Sequence, residues 1–391
     1  MCHPDSILTA LETGEPYPIK MVYFYGSNPI SPTCYAEPER WYNAIMKCDF
    51  NAAHEVFMTP TVMGLCDLVL PLAGFAEQDS VVLPHFGRNT HFIGAINKAI
   101  QQGECKSDIE IDMAIGKKLN PEAWPWDTVE EFFDAQIHTQ YDWGFNELRE
   151  EGCHQQTQVY RKYEKGLLRP DGEPGFNTPT GMIEIASSIY DDFGERELPY
   201  FMEPAMSPYS TPELYKEYPF VLTTGGREFT SFHSEHRQLP SLRACTPDPV
   251  VTINPKAAAE LGINTGDWVL IENPLGKCCE RARVSNEVAE HVIHATHGWW
   301  FPEQDPEFPN LSGVFKSNIN RLIPMYKVGK LGYGAPYKNV LCKITKVASP
   351  DAAFEDPTEY VSPMGDDRGP NSWPDAGEKS PYCYENYHPG E

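Results

Sequence analysis

The sequence has no pair of cysteines with C-x-x-C spacing, although it contains 11 cysteines in 391 residues. Cys278 and Cys279 are adjacent and therefore cannot chelate one ion in the usual way, and the others are scattered along the chain. Scattered cysteines in a long chain are more often small buried apolar side chains than ligands. The sequence therefore predicts no cysteine-bound metal centre.

Basic residues are also few. Lys and Arg number 31 while Asp and Glu number 56, which gives a formal net charge of −25. Such an acidic balance argues against nucleic acid or an anionic membrane as a partner. Any site for an anionic phosphate must therefore gather its own Arg, Lys and backbone N–H donors.

Long hydrophobic runs and familiar catalytic motifs are absent as well. No apolar stretch approaches the roughly 18 residues that a membrane-spanning helix needs. The N-terminus lacks a basic segment followed by an apolar one, so no signal peptide is predicted, and the sequence does not assign a compartment. Neither phosphate-binding glycine motif (G-x-G-x-x-G or G-x-x-x-x-G-K-[ST]) nor H-E-x-x-H occurs, and no Ser-His-Asp or paired-carboxylate pattern stands out.

The first part of the chain has the pattern of an α/β domain. Met21–Tyr25 and residues 67–71 are short continuous apolar runs, which predict strands buried on both faces. Residues 41–47 and 109–118 are predicted to be helices. Alternating strands and helices indicate a doubly wound α/β domain, which we place at residues 1–200.

Ligands of doubly wound sheets bind at the carboxyl ends of the strands. Gly26, Ser27 and Asn28 directly follow the first predicted strand, so we expect them at a binding edge. Residues 121–175 are rich in aromatic side chains, and we predict helical segments there that complete the domain. Aromatic packing within this helical insert is favoured over a substrate platform.

The pattern changes after about residue 216. Short β-rich runs separated by turns succeed one another, and this spacing predicts a closed β-barrel over residues 216–347. The strands are predicted at residues 218–221, 250–253, 268–271, 282–284 and 292–295. Residues 348–391 form an acidic, proline-containing tail without periodicity, which we predict to be disordered or loosely attached.

Residues 222–227 (LTTGGR) and 234–240 (SEHRQLP) are the most informative stretch of the chain. A strand that opens into a Thr/Gly loop exposes backbone N–H groups, because glycine has no Cβ to keep a ligand away. Arg227 and Arg237 flank this loop with forked donors suited to phosphate or carboxylate oxygens. On these residues alone, a ligand loop and an ordinary glycine-containing turn are equally supported.

Further motifs occur downstream in a fixed order: residues 247–255 (PDPVVTINP), 257–263 (AAAELGI), 265–273 (TGDWVLIEN) and 297–300 (HGWW). Together they resemble the C-terminal dinucleotide-binding domain of molybdopterin oxidoreductases of the dimethyl sulfoxide reductase family. The resemblance extends from about residue 20 to 347. Its upstream part is carried by residues 25–29, 57–61, 66–71, 103–110 and 176–184.

The resemblance implies a double-psi barrel and a cofactor made of molybdenum or tungsten held by two molybdopterin guanine dinucleotides. Residues of the α/β domain, the loop after the first barrel strand and three later positions would contact that cofactor. They are Gly26, Ser27, Asn28, Thr59, Thr223, Thr224, Gly226, Arg227, Phe229, His233, Ser234, Arg237, Gly298, Asn320 and Lys338. The family's metal is held by the pterin dithiolenes, usually with one residue from an earlier domain, so no metal ligand and no catalytic residue is assigned here.

Full-length members commonly begin with a cysteine cluster for a four-iron centre and a domain that supplies the metal ligand. This sequence enters the resemblance at the third domain. It is therefore expected to be the C-terminal half of an enzyme, either a subunit of a split enzyme, a truncated product or a chain with a mis-assigned start. The expected partners are the N-terminal half or a subunit carrying the iron-sulfur and metal-ligand domains, and an iron-sulfur electron-transfer subunit.

The leading hypothesis is a two-electron redox, hydroxyl-transfer or oxygen-transfer reaction on a small substrate. The sequence motifs at residues 237–240 and 297–303 resemble those of anaerobic members in the catechol dehydroxylase, transhydroxylase and acetylene hydratase branches. The alternatives are an inactive cofactor-binding fragment, a subunit completed by a separate N-terminal chain, and a non-functional remnant.

Overall fold

The computed structural model describes residues 4–31, 36–82, 92–155, 157–201, 203–226, 228–324 and 335–354. The chain forms two compact units. The first, here called the barrel unit, consists of Met1–Ala52, Phe57–Leu68 and Tyr190–Glu391, and the second, the inserted unit, of Ala53–Val56 and Val69–Ile189. Among the described residues, no helix has both the length and the apolar character that crossing a membrane requires. The domain boundaries expected from the sequence, at residues 200, 216 and 347, stay predictions.

The N-terminal elements have the predicted alternation. They are α1 (Pro4–Thr13), β1 (Met21–Tyr25), α2 (Pro38–Ile45), β2 (Phe50–Glu55), α3 (Pro60–Leu65) and β3 (Leu68–Pro71). The three strands form one sheet in the order β1-β2-β3. The predicted strands at 21–25 and 67–71 and the predicted helix at 41–47 are confirmed to within a few residues, whereas the doubly wound arrangement stays a prediction.

A buried ion cluster joins α1 to α2. The Arg40 guanidinium donates to both carboxylate oxygens of Glu12, at 2.6 and 2.8 Å, and to Glu37 at 3.1 Å. Glu37 is almost fully buried and has a left-handed φ of 53°. Because one guanidinium faces two carboxylates, its charge does not compensate the burial of Glu37, and burial raises the pKa of Glu37 to about 7.

This cluster predicts a pH dependence of stability. A carboxyl whose pKa is higher in the folded than in the unfolded chain, where it is 4.5, stabilises the fold at low pH. Its contribution is lost as the pH rises through 7. Between pH 5.5 and 8 the free energy of unfolding should fall by about 2 kcal/mol more in the native protein than in Glu37→Gln. Urea unfolding at both pH values measures this difference.

The exposed Glu15→Gln variant is the control for this measurement. It should keep the pH dependence of the native protein, because its side chain lies in water in the folded state as well. Equal pH dependence in Glu37→Gln and the native protein would contradict a buried protonated Glu37.

The inserted unit contains a second, antiparallel sheet and three helices. The sheet has the order β4 (Ser80–Val82), β5 (Phe92–Ile96) and β6 (Cys153–Gln155), and the helices are α4 (Asp108–Leu119), α5 (Val129–Ile137) and α6 (Phe145–Glu151). α4, predicted at 109–118, begins with a capping box in which Ser107 and Glu110 each accept the other's backbone N–H. The antiparallel sheet was not predicted, because β4 and β6 have only three residues each.

The aromatic insert packs inside this unit, as predicted. The Trp124 ring stacks on Phe132, and Trp126 meets Phe132 edge-on at a centroid distance of 5.0 Å. Ile93, Phe133 and Phe145 belong to the buried core between β5, α5 and α6. The aromatic side chains therefore stabilise the helices by burial and edge-to-face contact.

The remaining elements build the barrel unit. Its strands are β7 (Phe220–Gly226), β8 (Val250–Ile253), β9 (Trp268–Asn273), β10 (Gly276–Val284), β11 (Val292–Thr296) and β12 (Val340–Val347). Two short helices precede them, α7 (Ser188–Asp192) and α8 (Pro212–Glu217). Between the strands lie α9 (Pro240–Cys245), α10 (Pro255–Glu260), α11 (Val314–Ser317) and 3₁₀ turns at Leu311–Gly313 and Ile319–Leu322, and a further 3₁₀ turn, Asp351–Ala353, follows β12.

The six strands close into a barrel in the order β10-β8-β11-β7-β12-β9, which confirms the predicted closed barrel. β7 pairs with β11 and β8 with β10 in parallel, and the other four pairings are antiparallel. Residues of β9 alternate between half-buried and buried, as expected for strands with one face inside. Leu222, Ile271 and Ile293 are fully buried members of the interior.

The first residues of the predicted tail, 348–354, are attached to the barrel. Residues 348–354 include a 3₁₀ turn, and the Phe354 ring is buried beneath the Lys277 ammonium, 5.0 Å from its centroid. Lys277 also donates to the backbone oxygen of Ala353 at 3.1 Å. One buried aromatic ring thus attaches this segment to the barrel, which a composition-based prediction of disorder could not detect. Residues 355–391 of the predicted tail lie outside the described residues.

Candidate cofactor site

The loop after β1 is joined to the loop after β7 by a buried amide. Asn28 donates to the Ser234 hydroxyl at 3.0 Å, and its side-chain oxygen accepts from the hydroxyl of Thr61 at 2.7 Å. Thr61 in turn accepts from the backbone N–H of Ile30 at 3.0 Å. Asn28 and Ser234, both predicted site residues, therefore hold the two loops together through bonds to each other.

The loop after β7 is held in an unusual backbone conformation. His233 has φ 51° and His236 has φ 73°, a left-handed region that non-glycine residues seldom adopt. The Ser234 carbonyl between them accepts a 2.7 Å bond from the Trp300 indole N–H. Trp300, interpreted from the sequence as structural, thus fixes the loop, and the loop directs Arg237 into the interior of the unit.

Arg237 is a charged side chain that is almost completely buried in the barrel unit. Only 3% of the residue is exposed, and its guanidinium lies 4.4 Å from the centre of the Trp299 ring. One Nη2–H donates to the His233 backbone oxygen at 2.9 Å. Within the described part of the chain, its Nε and Nη1 groups have no hydrogen-bond acceptor although they are buried.

No carboxylate among the described residues forms an ion pair with Arg237. Burial, together with the neighbouring Arg243, lowers the pKa of Arg237 to about 9, so the guanidinium is still protonated at neutral pH. A buried cation with free N–H donors costs several kcal/mol unless it is paired. These donors match a phosphate or a polar heterocycle, and they are the clearest ligand-directed groups of the site.

Two histidines form a pair beside Arg237. His233 Nδ1 and His297 Nε2 are 2.9 Å apart, so one ring donates and the other accepts. His297 precedes Gly298, whose φ is +66° and whose carbonyl accepts from the Ser31 hydroxyl at 3.3 Å. His297 was not predicted as a site residue; its position directly before the predicted Gly298 was the only signal for it in the sequence.

A later turn closes the same region from another side. The Asn318 side chain donates to the Ile30 carbonyl at 3.1 Å and accepts from the backbone N–H of Asn320 at 3.0 Å. Asn320, a predicted site residue, is fully buried. The loop after β1, the HGWW segment and this turn are therefore linked within one unit.

The predicted residues of the Thr/Gly segment belong to a strand rather than to a loop. β7 continues through Gly226, because Thr223 and Thr224 pair with His294 and Ala295 of β11. The side chain of Lys338 donates to the Thr224 carbonyl, and a Cβ on Gly225, which has φ +85°, would lie 2.5 Å from the Lys338 ammonium. The glycine therefore permits the approach of Lys338 to the strand.

Thr223 points to the outer face of the barrel, where it bonds His294 Nδ1 at 2.7 Å. Cross-strand pairing continues this row from His294 to Thr252 and from Thr252 to Arg283. Thr252, Arg283 and His294 line a cavity of about 290 Å³ together with Glu228 and Glu287. Burial, followed by Lys338 and Arg283, lowers the pKa of His294. Within the row, Thr223 is hydrogen-bonded to His294, and the Arg283 guanidinium donates to the Thr252 hydroxyl at 3.0 and 3.2 Å.

Among the described residues, other predicted site residues are not joined by hydrogen bonds to those discussed above. Thr59 is buried as the N-cap of α3 and accepts from the Val62 N–H. Ser27 and Phe229 are exposed. Gly26 has φ +49°, and a Cβ built on it would meet no atom within 4 Å. Arg227 lies outside the described residues.

The described residues also bear on metal binding. Within the described ranges, no three His, Cys, Asp or Glu side chains are grouped so that they could hold a metal ion. Cys278, Cys279 and Cys342 are buried in the barrel, as the interpretation of scattered cysteines predicts, whereas Cys153 and Cys245 are exposed. The groups at this site that could contact a ligand are the Nε and Nη1 donors of Arg237 and the two imidazoles.

Comparison with known proteins agrees with this chemistry. The molydopterin dinucleotide binding domain family matches residues 220–341, which span the barrel from β7 to β12. The chain is 32% identical over 308 residues to acetylene hydratase of Syntrophotalea acetylenica, covering 78% of this chain and 40% of the relative. It is 29% identical over 429 residues to dopamine dehydroxylase of Eggerthella lenta, covering 91% and 41%.

A solved structure supports the same relationship. Acetylene hydratase from Pelobacter acetylenicus superposes with a TM-score of 0.79 at 27% identity, over 89% of this chain and 47% of the other. This chain spans about 40% of the length of the two curated relatives. The barrel matches a dinucleotide-binding domain, and the relatives extend over most of the chain. The chain belongs to the molybdopterin oxidoreductases of the dimethyl sulfoxide reductase family.

Proposed function

We propose that this chain is the part of a molybdenum or tungsten enzyme that binds a bis-molybdopterin guanine dinucleotide cofactor, and that it corresponds to the C-terminal half of the complete enzyme. When bound, the cofactor supplies a metal centre for two-electron chemistry or for hydroxyl or oxygen transfer on a small substrate. The contribution of this chain is to bind and orient the cofactor.

The observation that carries the proposal is the buried, unpaired guanidinium of Arg237. Its Nε and Nη1 donors lack acceptors among the described residues, and the Trp299 ring covers it. A phosphate or the polar edge of a pterin would accept from these donors and offset the cost of the buried charge. The His233–His297 pair lies next to it and offers a further polar contact.

The remaining predicted residues have different roles in this proposal. Asn28, Ser234 and Gly298 hold the loops around Arg237 through their hydrogen bonds. Lys338 secures β7, and Asn320 lies in the turn that closes the region. They orient the site, and Arg237 makes the charged contact. Gly26 and Ser27 are open to an approaching ligand.

The names of the relatives suggest the class of substrate. One acts on acetylene and another on dopamine, both small organic molecules. A small unsaturated or aromatic substrate is therefore proposed for the complete enzyme. The alternative is a cofactor-binding chain that is inactive by itself or is completed by a separate N-terminal chain. This alternative is supported by the fact that the chain matches only about 40% of the length of acetylene hydratase.

The inserted unit carries a surface suited to the remaining part of the family fold. Met182, Ile183, Ile185 and Ile189 are 66%, 68%, 81% and 50% exposed, which places four large apolar side chains within eight residues. Such a group exposed to water indicates an interaction site. We assign it to the polypeptide with the iron-sulfur and metal-ligand domains, in the same chain or in a separate subunit, because the relatives contain more than half of their length beyond the matched part.

The double variant Ile183→Ser/Ile185→Ser tests this surface. It should bind less of a dye that reports exposed apolar surface. Its affinity for the co-produced complementary polypeptide should fall by about a hundredfold or more, since two buried isoleucines contribute about 1.5–3 kcal/mol each. Leu119→Ser, which removes another exposed apolar side chain of this unit, is the control. Self-association of the native chain that the double variant abolishes would instead identify a second copy as the occupant.

The proposed function is tested by anaerobic purification from a host that makes the cofactor, with and without the complementary polypeptide, followed by metal and pterin analysis. Pterin and metal that co-purify with the native pair but not with Arg237→Met support cofactor binding through Arg237. Absence of cofactor from every preparation would leave an inactive remnant and contradict the proposal.

A further inference from the structure

An acidic side chain lies inside the barrel. Residues Cys278, Glu280 and Ala282 of β10 face the interior together, because alternate residues of a strand share one face. All three are buried, and Glu280 is 0% exposed. Its cross-strand neighbour is Val269, which is also fully buried. Burying a carboxyl group in such apolar surroundings lowers the stability of the fold unless its hydrogen bonds offset the cost.

Its one hydrogen bond is made at a defect in the barrel. Between Ala295 and Thr296 the register of β11 against β7 shifts: Ala295 pairs with Thr224 and Thr296 with Gly226, so Gly225 is the extra residue of a bulge. The backbone N–H of Thr296 donates instead to Glu280 Oε2 at 3.1 Å. The other carboxyl oxygen is buried without a partner among the described residues.

The hydroxyl of Thr296 secures the other side of the same residue. It donates to the Val250 carbonyl at 2.8 Å and accepts from the Val250 N–H at 3.1 Å. Thr296 is therefore held to two strands by three hydrogen bonds. It is the last residue of β11, and the chain leaves the barrel there toward the candidate site.

The charge state of Glu280 suits this role. Burial raises its pKa well above the usual value, and Glu228, the charged group that acts on it from outside the strand, raises it further. The raised pKa favours the neutral carboxylic acid, whose Oε2 accepts the N–H of Thr296. An amide side chain has the same shape, carries no charge and keeps an oxygen acceptor.

The segment immediately after Thr296 reaches the candidate site. His297 pairs with His233, the carbonyl of Gly298 accepts from Ser31, and Trp299 lies beneath the Arg237 guanidinium. We infer that Glu280 is a positioning residue: by holding the Thr296 N–H at the bulge, it sets where His297 and Trp299 stand relative to His233 and Arg237. The part concerning the histidines is independent of the proposed function, and the part concerning ligand binding rests on it.

The experiment compares Glu280→Gln, Glu280→Met and the control Cys278→Ala. Cys278 is buried on the same face of β10, so its truncation reduces barrel packing without touching Thr296. Two quantities are measured on each folded variant: the ¹⁵N shifts of the His233 and His297 rings, assigned with His297→Gln, and the affinity for inorganic pyrophosphate by calorimetry.

Glu280→Met should displace the histidine signals and weaken pyrophosphate binding by about tenfold, the scale of one lost hydrogen bond. Glu280→Gln should restore both, and Cys278→Ala should change neither. If Glu280→Met does not fold, Glu280→Leu, which also removes the acceptor of the Thr296 N–H, takes its place and should displace the same histidine signals.

Two outcomes overturn the inference: unchanged histidine signals in Glu280→Met or its substitute, and a Gln variant that behaves like the Met variant. Failure of the native protein to bind pyrophosphate would count against the anion site of the proposed function, while the histidine signals would still decide the positioning role.

Discussion

Arg237→Met is expected to make the free protein more stable by about 1–3 kcal/mol while it removes cofactor retention. The guanidinium is buried, lacks a carboxylate partner among the described residues and leaves two donors without acceptors. Methionine has a similar length, no charge, and can pack against Trp299 as the guanidinium does. Stability is measured by urea unfolding of the cofactor-free chain, and retention by pterin analysis of the loaded protein.

Arg243→Met is the matched control. Arg243 also contacts the Trp299 ring, at 5.3 Å, but it is partly exposed and forms a 2.9 Å ion pair with Glu303. Its replacement should change the free energy of unfolding by less than about 1 kcal/mol, since partly exposed pairs contribute little. A loss of stability in Arg237→Met would show that the guanidinium is already compensated, and the argument for a missing anion would fail.

Asn273→Leu is expected to lower the free energy of unfolding by about 3–5 kcal/mol, because four backbone groups lose their partner at once. The Asn273 amide donates to the carbonyls of Leu322 and Leu341, at 2.9 and 3.2 Å. Its oxygen accepts from the N–H groups of Leu275 and Gly276, at 2.9 and 3.2 Å. One buried side chain thus joins the β9–β10 turn to β12 and to the turn that contains Asn320.

The variant Asn286→Leu makes the same chemical change at an exposed position in the same unit. It should alter stability by no more than about 0.5 kcal/mol. Chemical unfolding of the two variants gives the comparison. A loss below about 1 kcal/mol in Asn273→Leu would mean that water or other groups replace the four bonds, and the amide would not be a structural centre of the barrel.

The barrel could be predicted from the sequence because each strand has its own local pattern. β9 is a short apolar run that directly follows the turn residues Gly266 and Asp267, and α10 comes directly after β8. The helix α4 could likewise be predicted, since its capping residues Ser107 and Glu110 are three positions apart. Such signals lie within a few residues and need no knowledge of the rest of the chain.

The candidate site could be predicted only in part, because its bonds join distant positions. The motif around Arg237 indicated an anion loop, but nothing in it showed that the guanidinium is buried without a carboxylate. The pairing of His233 with His297, 64 positions apart, has no local signal. Glu280 did have a local signal in the sequence. It lies two positions from Cys278 and two from Ala282, so the three side chains share one face of the strand, and its two neighbours on that face are apolar.

The extent of β7 was predicted incorrectly for a related reason. Gly225 and Gly226 suggested that the strand ends before them, since glycine weakens strands. In the barrel, β11 pairs with Thr223 and Thr224 and with Gly226 across a bulge, so tertiary pairing overrides the local preference.

The hydrogen bonds that join the N-terminal loop to the barrel also determine when this protein can finish folding on the ribosome. The Ser31 hydroxyl and the Gly298 carbonyl are 267 positions apart, and Asn318 and Ile30 are 288 apart. At roughly 5–20 residues per second, the loop is synthesised about 13–50 s before Gly298. The inserted unit, which ends at Ile189, emerges in that interval and can fold first. Completion of the barrel unit is therefore timed by translation, and the Ser31 hydroxyl and the Ile30 carbonyl must stay exposed to water or to chaperones until Gly298 and Asn318 have been made.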